Sequence, residues 1–169
     1  MESWPARTLV GLIEIPILAE TENRLPDKLP IKEDSIMSTK MTSTQTVAGR
    51  GTILVVDDFD DTRLLLRTWL ERKGFRVLEA ENGNEAVQAA EVGHPDLIIM
   101  DLEMPELDGL SATREIRKVE ELAGVPIVAV SAYGAEQFRG RALDAGCTDY
   151  VSTPFDPADL ERIISSLVH

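Results

Sequence analysis

The chain has 169 residues, of which 43% are hydrophobic, and its formal net charge is −13. This length suits one domain, or one domain with a tail, and the hydrophobic share allows a packed core. Most of the negative charge lies in residues 51–169, which hold 23 acidic and 11 basic side chains. Such a surface repels nucleic-acid phosphates and anionic lipids, so we expect metal cations and proteins as partners, with no nucleic acid and no membrane.

The cysteine content and the first apolar run both indicate a cytoplasmic protein. Cys147 is the one cysteine, which excludes an internal disulfide and is typical of a reducing compartment, where we expect a small buried thiol. The apolar run at 9–19 is too short for a membrane helix, and Glu14 and Pro16 interrupt it. An acidic residue near the start and this interruption also argue against a signal peptide.

Residues 1–50 show no sustained hydrophobic period, and they end in a polar stretch at 38–50. This composition predicts a flexible, disordered leader, followed by a folded domain over 51–169 with no output domain after it. Met37 and Met41 lie just upstream of that domain. We therefore hold the hypothesis that translation starts at one of them, which the intact mass of the natively expressed protein would test.

From Thr52 onward, apolar strand segments alternate with amphipathic helical segments. The continuous apolar run at 52–56 is typical of a strand buried on both faces, as in a parallel sheet. A helix is predicted over 61–74, and Asp60 or Asp61 is expected to cap its start. The same pattern predicts strands at 75–80, 96–100, 125–130 and 148–151, and helices at 84–91, 110–122, 135–145 and 157–168. Five such units predict an α/β fold with a parallel sheet covered on both faces.

Aspartates follow two of these strands at the point where each strand ends. Asp57 and Asp58 follow the first strand and Asp101 follows the third. The carboxyl ends of parallel strands share one edge, where ligands bind, so the three carboxylates converge if these strands are neighbours. Mg²⁺ prefers oxygen ligands and would relieve the repulsion between them. In the loop that follows, Pro105 favours a rigid turn and Gly109 an unusual backbone angle.

This edge also carries groups suited to phosphoryl chemistry. A carboxylate can act as a nucleophile and form an acyl phosphate, and such transfer depends on positioning and charge neutralisation. Ser131 follows the fourth strand, where its hydroxyl would donate to a phosphoryl oxygen. The fifth strand leads to Ser152 and Thr153, so the turn there carries no cation.

Several motifs together carry a family resemblance. They are V-V-D-D at 55–58, I-M-D-L-E-M-P-E-L-D-G at 99–109, V-S-A at 130–132, A-G-C-T-D-Y-V at 145–151 and T-P-F at 153–155. Over residues 51–169 the chain resembles the response-regulator receiver domain of two-component signalling, of the single-domain type. The resemblance implies a flavodoxin-like doubly wound (βα)5 parallel sheet with strand order 2-1-3-4-5. It also implies a phosphorylated regulator rather than an enzyme, one that assists its own phosphoryl transfer and hydrolysis.

The resemblance assigns roles to residues at the acidic edge. Asp101 would be the phosphoacceptor, and Asp57, Asp58, Asp101 and the backbone carbonyl of Glu103 would hold Mg²⁺. The phosphodonor would be a sensor histidine kinase or a histidine phosphotransfer protein. Glu103 and Tyr133 would border the phosphoryl group and tune its lifetime.

Other positions would carry the response. Ser131 and Tyr150 would form the switch, and a downstream protein would bind the face made by about residues 135–168. Within that face Leu143, Val151 and Ile164 are open to either role, core or contact. Thr153 stands where the family usually has a Lys whose ammonium pairs with the phosphoryl oxygens.

Thr153 leaves a second function open, an atypical receiver-fold interaction module that works without phosphorylation. An aspartyl-phosphate enzyme of the haloacid-dehalogenase type is disfavoured, because it needs a second Asp two residues after its nucleophile. Phe59 and Glu103 occupy the places two residues after Asp57 and Asp101. A nucleotide-binding Rossmann domain is disfavoured because the first strand-to-helix turn lacks glycines.

Overall fold

The computed structural model describes residues 49–132 and 135–168, with the side chains of 135–137 left out of the description. The predicted leader, with Met37 and Met41, lies outside the described residues. Within the described residues, no helix has the length and apolar character needed to cross a membrane.

Strands and helices alternate along the described chain, as the sequence pattern predicts. The strands are β1 (Thr52–Val56), β2 (Arg76–Ala80), β3 (Leu97–Asp101), β4 (Ile127–Ser131) and β5 (Asp149–Ser152). The helices are α1 (Asp60–Arg72), α2 (Gly83–Gly93), α3 (Gly109–Lys118), α4 (Ala135–Ala145) and α5 (Pro157–Leu167), and a 3-10 turn spans Glu120–Leu122.

The five strands form one parallel sheet in the order β2-β1-β3-β4-β5, which confirms the predicted fold class and strand order. The central strands β3 and β4 are buried along their whole length. Their continuous runs of Ile, Leu, Val and Met fit this position, because both faces of a central parallel strand are covered by helices.

Alternate side chains of the strands enter two separate hydrophobic cores, one on each face of the sheet. One core packs Leu54 and Ile98 against α2, α3 and α4. The other packs Ile53 and Ile99 against α1 and α5. The sheet is therefore held rigid between two layers of helices, with its carboxyl edge left at one end.

The start of α1 differs from the sequence expectation. Neither Asp60 nor Asp61 caps this helix, because both lie within its first turn and the capping position is Phe59, which offers no side-chain hydrogen bond. The N–H of Phe59 instead donates to Asp57 Oδ1 at 2.9 Å. The Asp57 carboxylate therefore organises the turn that enters α1.

Other element boundaries shift by one to a few residues. The helix predicted over 110–122 ends at Lys118, and a separate 3-10 turn covers Glu120–Leu122.

The side chain of Cys147 is 6% exposed, and its Sγ atom lies 3.7 Å from Thr113 Oγ1. Burial raises the pKa of the Cys147 thiol, which confirms the expectation of a small buried thiol.

The position of Ile98 in the central strand predicts a large stability effect. Ile98 is fully buried between β1 and β4. Ile98→Ala should lower the free energy of unfolding by about 2–5 kcal/mol, because a cavity replaces packed methyl groups. Val92→Ala, on a side chain that is 85% exposed, is the matched control and should change it by less than about 0.5 kcal/mol. Urea unfolding followed by circular dichroism measures both, and equal effects would contradict the assigned burial.

Candidate functional site

Three carboxylates meet at the carboxyl edge of the sheet. Asp57 and Asp58 directly follow β1, and Asp101 is the last residue of β3. Since β1 and β3 are hydrogen-bonded neighbours, one carboxylate oxygen of each residue lies within 4.8 Å of the others. Asp57 and Asp101 are 8% and 2% exposed, so solvent screens their mutual repulsion poorly. The structure thus brings together the three residues that the sequence placed on this edge.

Hydrogen bonds fix the backbone around Asp57. Its N–H donates to Ala80 O at 3.2 Å, which ties it to the end of β2. Its carbonyl oxygen accepts a hydrogen bond from Arg63 Nη1 at 2.7 Å, and the same guanidinium forms an ion pair with the Asp60 carboxylate. The Arg63 side chain is 12% exposed, so this is a largely buried cation beside the acidic loop.

Arg63 is a site residue that the sequence reasoning missed. The available signal was its place one turn into the helix that follows the acidic pair, three residues after Asp60. On a helix surface such spacing lets the two side chains meet. Its bond to the carbonyl of Asp57 depends on how the loop turns, which the spacing does not reveal.

Asp58 provides the observation that bears on a metal ion. Its Oδ1 atom is buried and accepts no hydrogen bond from the described residues. A buried carboxylate oxygen without a donor is costly, and a bound cation would remove that cost. The donor set is oxygen only, which suits Mg²⁺, an ion that takes one or two carboxylates and keeps several waters. The residues present therefore fit a magnesium ion.

The loop after β3 holds Asp101 in place through backbone contacts. The N–H of Glu103 donates to Asp101 Oδ1 at 3.2 Å. At the end of the loop, the N–H of Gly109 donates to Leu102 O at 3.2 Å. A side chain at Gly109 would overlap the Asp101 carbonyl oxygen, so glycine is required by close approach. The expected unusual backbone angle at Gly109 is wrong, since the left-handed residue of this loop is Glu106, with φ of 64°.

Asp108 joins this loop to α3 as the helix cap. Its Oδ1 accepts the N–H of Ser111 at 2.9 Å, and its Oδ2 accepts the hydroxyl of Ser111 at 2.9 Å. Partial burial raises the pKa of the Asp108 carboxyl, but these hydrogen bonds outweigh it and leave the pKa lowered. The carboxylate stays ionised at neutral pH and anchors the loop that carries Asp101.

Ser131 and Thr153 lie side by side at the ends of β4 and β5. Ser131 is 1% exposed, and its carbonyl oxygen accepts the N–H of Thr153 at 2.8 Å. The peptide bond between Thr153 and Pro154 is cis. The backbone hydrogen bond therefore ties Ser131, the predicted switch residue, to the turn at Thr153.

The remaining predicted residues fall at different distances from the site. Tyr150 is 5% exposed and packs into the core on the side of α2, α3 and α4. Tyr133 lies outside the described residues. Arg139 pairs with Asp149 at 3.2 Å, and the Arg141 guanidinium lies 5.2 Å above the Phe138 ring. Both arginines of α4 are therefore engaged away from the carboxylates.

A cavity of about 250 Å³ opens onto the carboxylates. It is lined by the site residues Asp57, Asp101, Ser131 and Thr153, by Phe59, Thr62, Leu65 and Leu66 around α1, and by Val130, Ala132, Pro154 and Phe155. The described residues of this lining include no Lys or Arg. The arrangement can accept a metal ion and an anionic group at its polar wall, while much of the rest is apolar.

Comparison with known proteins identifies relatives that match this chain over most of their own length. The family model of the response regulator receiver domain matches residues 53–165. The polar-differentiation response regulator DivK of Brucella ovis is 34% identical over 68% of this chain and 94% of its own length. An uncharacterized 14.6 kDa protein of Leptolyngbya boryana is 41% identical over 66% of this chain and 86% of that protein.

Some relatives are longer than the matched region. The transcriptional regulatory protein ResD of Bacillus subtilis is 40% identical over 69% of this chain, but the match spans only 47% of ResD. This chain therefore resembles one part of that regulator.

Solved structures are also similar to this chain in fold and sequence. The receiver domain of sensor histidine kinase PA1611 from Pseudomonas aeruginosa is 39% identical, with a TM-score of 0.65, over 69% of this chain and 96% of that one. It is described with a magnesium ion coordinated in its active site cleft. The chemotaxis protein CheY4 of Vibrio cholerae is 25% identical, with a TM-score of 0.66, over 69% of this chain and 98% of that one.

The buried Asp58 oxygen that accepts no hydrogen bond from the described residues leads to one prediction about Mg²⁺ binding and one about stability. Asp58→Asn should weaken Mg²⁺ binding by at least the roughly 10–100-fold lost when an outer partner of a metal site is removed. Without metal the same variant should be at least as stable as the native protein, because one repelling charge is gone. Thermal unfolding with Mg²⁺ and with chelator measures both effects.

Asp61→Asn is the matched control, since Asp61 is exposed in the first turn of α1. It should leave the Mg²⁺-dependent stabilisation unchanged. A native-like response to Mg²⁺ in the Asp58 variant would contradict the assigned metal site.

Proposed function

Because this chain belongs to the response regulator receiver domain family, we propose that it accepts a phosphoryl group on Asp101 and signals by binding another protein. The observation that carries this proposal is the cluster of Asp57, Asp58 and Asp101 oxygens within 4.8 Å, in a cavity that also contains Ser131. In this proposal the protein acts in the cytoplasm as a phosphorylated regulator. Its partners are a histidine kinase or histidine phosphotransfer protein and a downstream protein target.

The transfer step requires little of the protein beyond positioning and charge neutralisation. A carboxylate oxygen of Asp101 attacks the phosphorus of a phosphohistidine on the donor protein. A P–O bond forms as the P–N bond breaks, and the electron pair stays on the imidazole nitrogen. The product is an acyl phosphate, and attack by water on its phosphorus later returns the carboxylate and inorganic phosphate.

The residues around Asp101 have separate tasks in this proposal. Mg²⁺, when bound, supplies positive charge that stabilises the phosphoryl oxygens. Asp57, Asp58, Asp101 and the backbone carbonyl of Glu103 would hold it. The hydrogen bond from the Glu103 N–H to Asp101 Oδ1 orients the nucleophile before attack. Glu103 and Tyr133 would also set the lifetime of the acyl phosphate.

The response would begin at Ser131, whose hydroxyl donates to a phosphoryl oxygen. Ser131 is paired with Ser152 across β4 and β5, and Ala129 is paired with Tyr150 in the same two strands. A shift at the end of β4 thus acts on the strand that carries the Tyr150 ring. That ring packs in the core on the side of α2, α3 and α4, so its rearrangement would change the surface of α4.

The face over about residues 135–168 would bind the downstream target. Val151 and Ile164 are buried, so they belong to the core and are excluded as contacts. Leu143 is 43% exposed on α4 and suits a protein contact. The ion pair of Arg139 with Asp149 ties α4 to β5, and such an exposed pair is weak enough to rearrange.

Thr153 bears on the coupling between phosphorylation and response. A charge-assisted hydrogen bond from a lysine at this position would contribute roughly 1.5–3 kcal/mol, which Thr153 cannot supply. A module that works without phosphorylation is not favoured, because the complete carboxylate cluster would then be costly and without use. We therefore expect phosphorylation to occur and its conformational effect to be reduced.

Phosphorylation is tested with a small donor. Incubation with acetyl phosphate and Mg²⁺ should add the mass of one phosphoryl group to the intact protein. Asp101→Asn should abolish the gain, since the amide cannot act as the nucleophile, and chelation of Mg²⁺ should strongly reduce it. No mass gain from acetyl phosphate or from a cognate kinase would contradict the proposal.

The role of Thr153 is tested by restoring the charge. Thr153→Lys should enlarge the response of the Ser131 and Tyr150 amide signals to saturating beryllofluoride, because the ammonium pairs with the phosphoryl mimic. Nuclear magnetic resonance measures the shift, and the Thr153→Lys, Asp101→Asn double variant is the control without a response. A full response already present in the native protein would show that Thr153 does not limit the switch.

A further inference from the structure

Arg63 joins the start of α1 to the acidic loop that follows β1. Its Nη1 atom donates to the carbonyl oxygen of Asp57 at 2.7 Å, and its Nη2 atom donates to the carboxylate of Asp60. Its own backbone N–H donates to Phe59 O at 3.1 Å, within the first turn of the helix. One planar guanidinium thus uses two nitrogens to bridge a strand end and a helix start, a geometry that the single ammonium of a lysine does not reproduce.

The two contacts of this guanidinium lie in different surroundings. The Arg63 side chain is 12% exposed, whereas the Asp60 side chain is 89% exposed. An ion pair with an exposed carboxylate contributes little, because water screens it. The hydrogen bond to the Asp57 carbonyl is partly buried and has a charged donor, so we expect it to be the stronger of the two.

The carbonyl of Asp57 belongs to the same planar peptide group as the N–H of Asp58. A hydrogen bond to this carbonyl therefore fixes the peptide from which the Asp58 side chain starts. The Asp58 Oδ1 atom is buried, and no donor in the described part of the chain bonds to it. Because such an oxygen is unfavourable without a cation, nearby interactions must offset its cost in the metal-free protein. The hydrogen bond from Arg63 acts on the adjoining peptide.

We propose that Arg63 is a positioning residue for the magnesium site. It acts through the peptide between Asp57 and Asp58, and it holds their carboxylates in the arrangement that a metal ion binds. The inference rests on the Mg²⁺ binding that is part of the proposed function. It adds to that site a residue of α1 whose charge has the wrong sign for a metal ligand.

The charge of Arg63 separates this role from a simple electrostatic one. A guanidinium beside the acidic loop repels Mg²⁺, so its charge alone would weaken binding. A peptide that is already held in place orients the metal ligands and strengthens binding. Removal of the Arg63 side chain therefore changes the Mg²⁺ affinity in opposite directions under the two explanations.

The test measures the dissociation constant of Mg²⁺ on the full chain, from the amide signals of Asp58 and Glu103 by nuclear magnetic resonance. Arg63→Met keeps an unbranched stem and removes the charge and both donors. It should weaken Mg²⁺ binding about tenfold, the lower end of the range for partners that orient metal ligands. Tighter or unchanged binding would overturn the inference.

Arg63→Lys separates the charge from the two-nitrogen contact. It keeps the charge and one donor for the Asp57 carbonyl, but its single ammonium does not also span to Asp60. It should therefore recover part of the Mg²⁺ affinity lost in Arg63→Met. Weaker binding in Arg63→Lys than in Arg63→Met would identify the retained charge as the harmful feature and would overturn the positioning role.

Arg67→Met is the matched control, one turn further along α1. Arg67 Nη1 pairs with Glu79 Oε2 on β2 at 2.7 Å, and its side chain is 41% exposed. This variant removes the same charge from the same helix, and solvent screens that charge. It should leave the dissociation constant of Mg²⁺ within about twofold of the native value. A loss equal to that in Arg63→Met would assign the effect to the helix as a whole and overturn the inference.

Asp60→Asn tests the second contact while Arg63 stays in place. The Asp60 side chain is 89% exposed, so we expect the variant to fold. It should weaken Mg²⁺ binding about twofold, the size expected from an exposed ion pair, and Asp61→Asn should not. In the Arg63→Met background it should have no further effect, since its action passes through Arg63. Equal effects in both backgrounds would overturn this connection.

The outcomes distinguish this inference from the proposed function. A native protein that binds no Mg²⁺ would contradict the metal site and with it the proposed function. Equal Mg²⁺ affinity in the native protein, Arg63→Met and Asp60→Asn would overturn the positioning role alone. Circular dichroism with chelator checks that each variant is folded. If Arg63→Met does not fold, the comparison of Asp60→Asn with Asp61→Asn decides, and no difference between them would overturn the inference.

Discussion

The pairing of β1 with β3 is the constraint on which the site depends, because it forces like charges together. Val56 lies opposite Met100, so the next residues of both strands, Asp57 and Asp101, emerge at the same edge. Repulsion alone would separate them, but the fully buried side chains of the two strands hold the register. The core therefore holds these two buried carboxylates close together at this edge.

Local contacts convert this convergence into a defined site. Arg63 donates a hydrogen bond to the carbonyl oxygen of Asp57, and the N–H of Glu103 donates one to Asp101 Oδ1. Gly109 allows the loop to close directly over the Asp101 carbonyl. These contacts fix the positions of Asp57 and Asp101 in the absence of a bound ligand.

The ends of β4 and β5 meet at the same edge as the carboxylates. Ser131 and the turn at Thr153 share a backbone hydrogen bond, and Tyr150 lies three residues before that turn. In the proposed function, a group bound at Asp101 acts on α4 through these two strands.

The sequence by itself determined the fold and the members of the carboxylate cluster. Continuous apolar runs alternating with amphipathic helices specify a parallel sheet, and residues that follow its strands must share one edge. Local periodicity is enough for this, because burial on both faces of a strand leaves a pattern in the chain. It also marked Thr153 as the position without a cation.

Only the tertiary structure decided the contacts between residues whose meeting depends on loop paths. These include the hydrogen bond from Arg63 to the carbonyl of Asp57, the hydrogen bond that Asp57 accepts from the N–H of Phe59, and the close approach that requires Gly109. The separation of buried Ile164 from exposed Leu143, and the cavity between α1 and the turn at Thr153, also belong here. Each depends on the relative placement of elements far apart in the chain, for which local composition and period carry no signal.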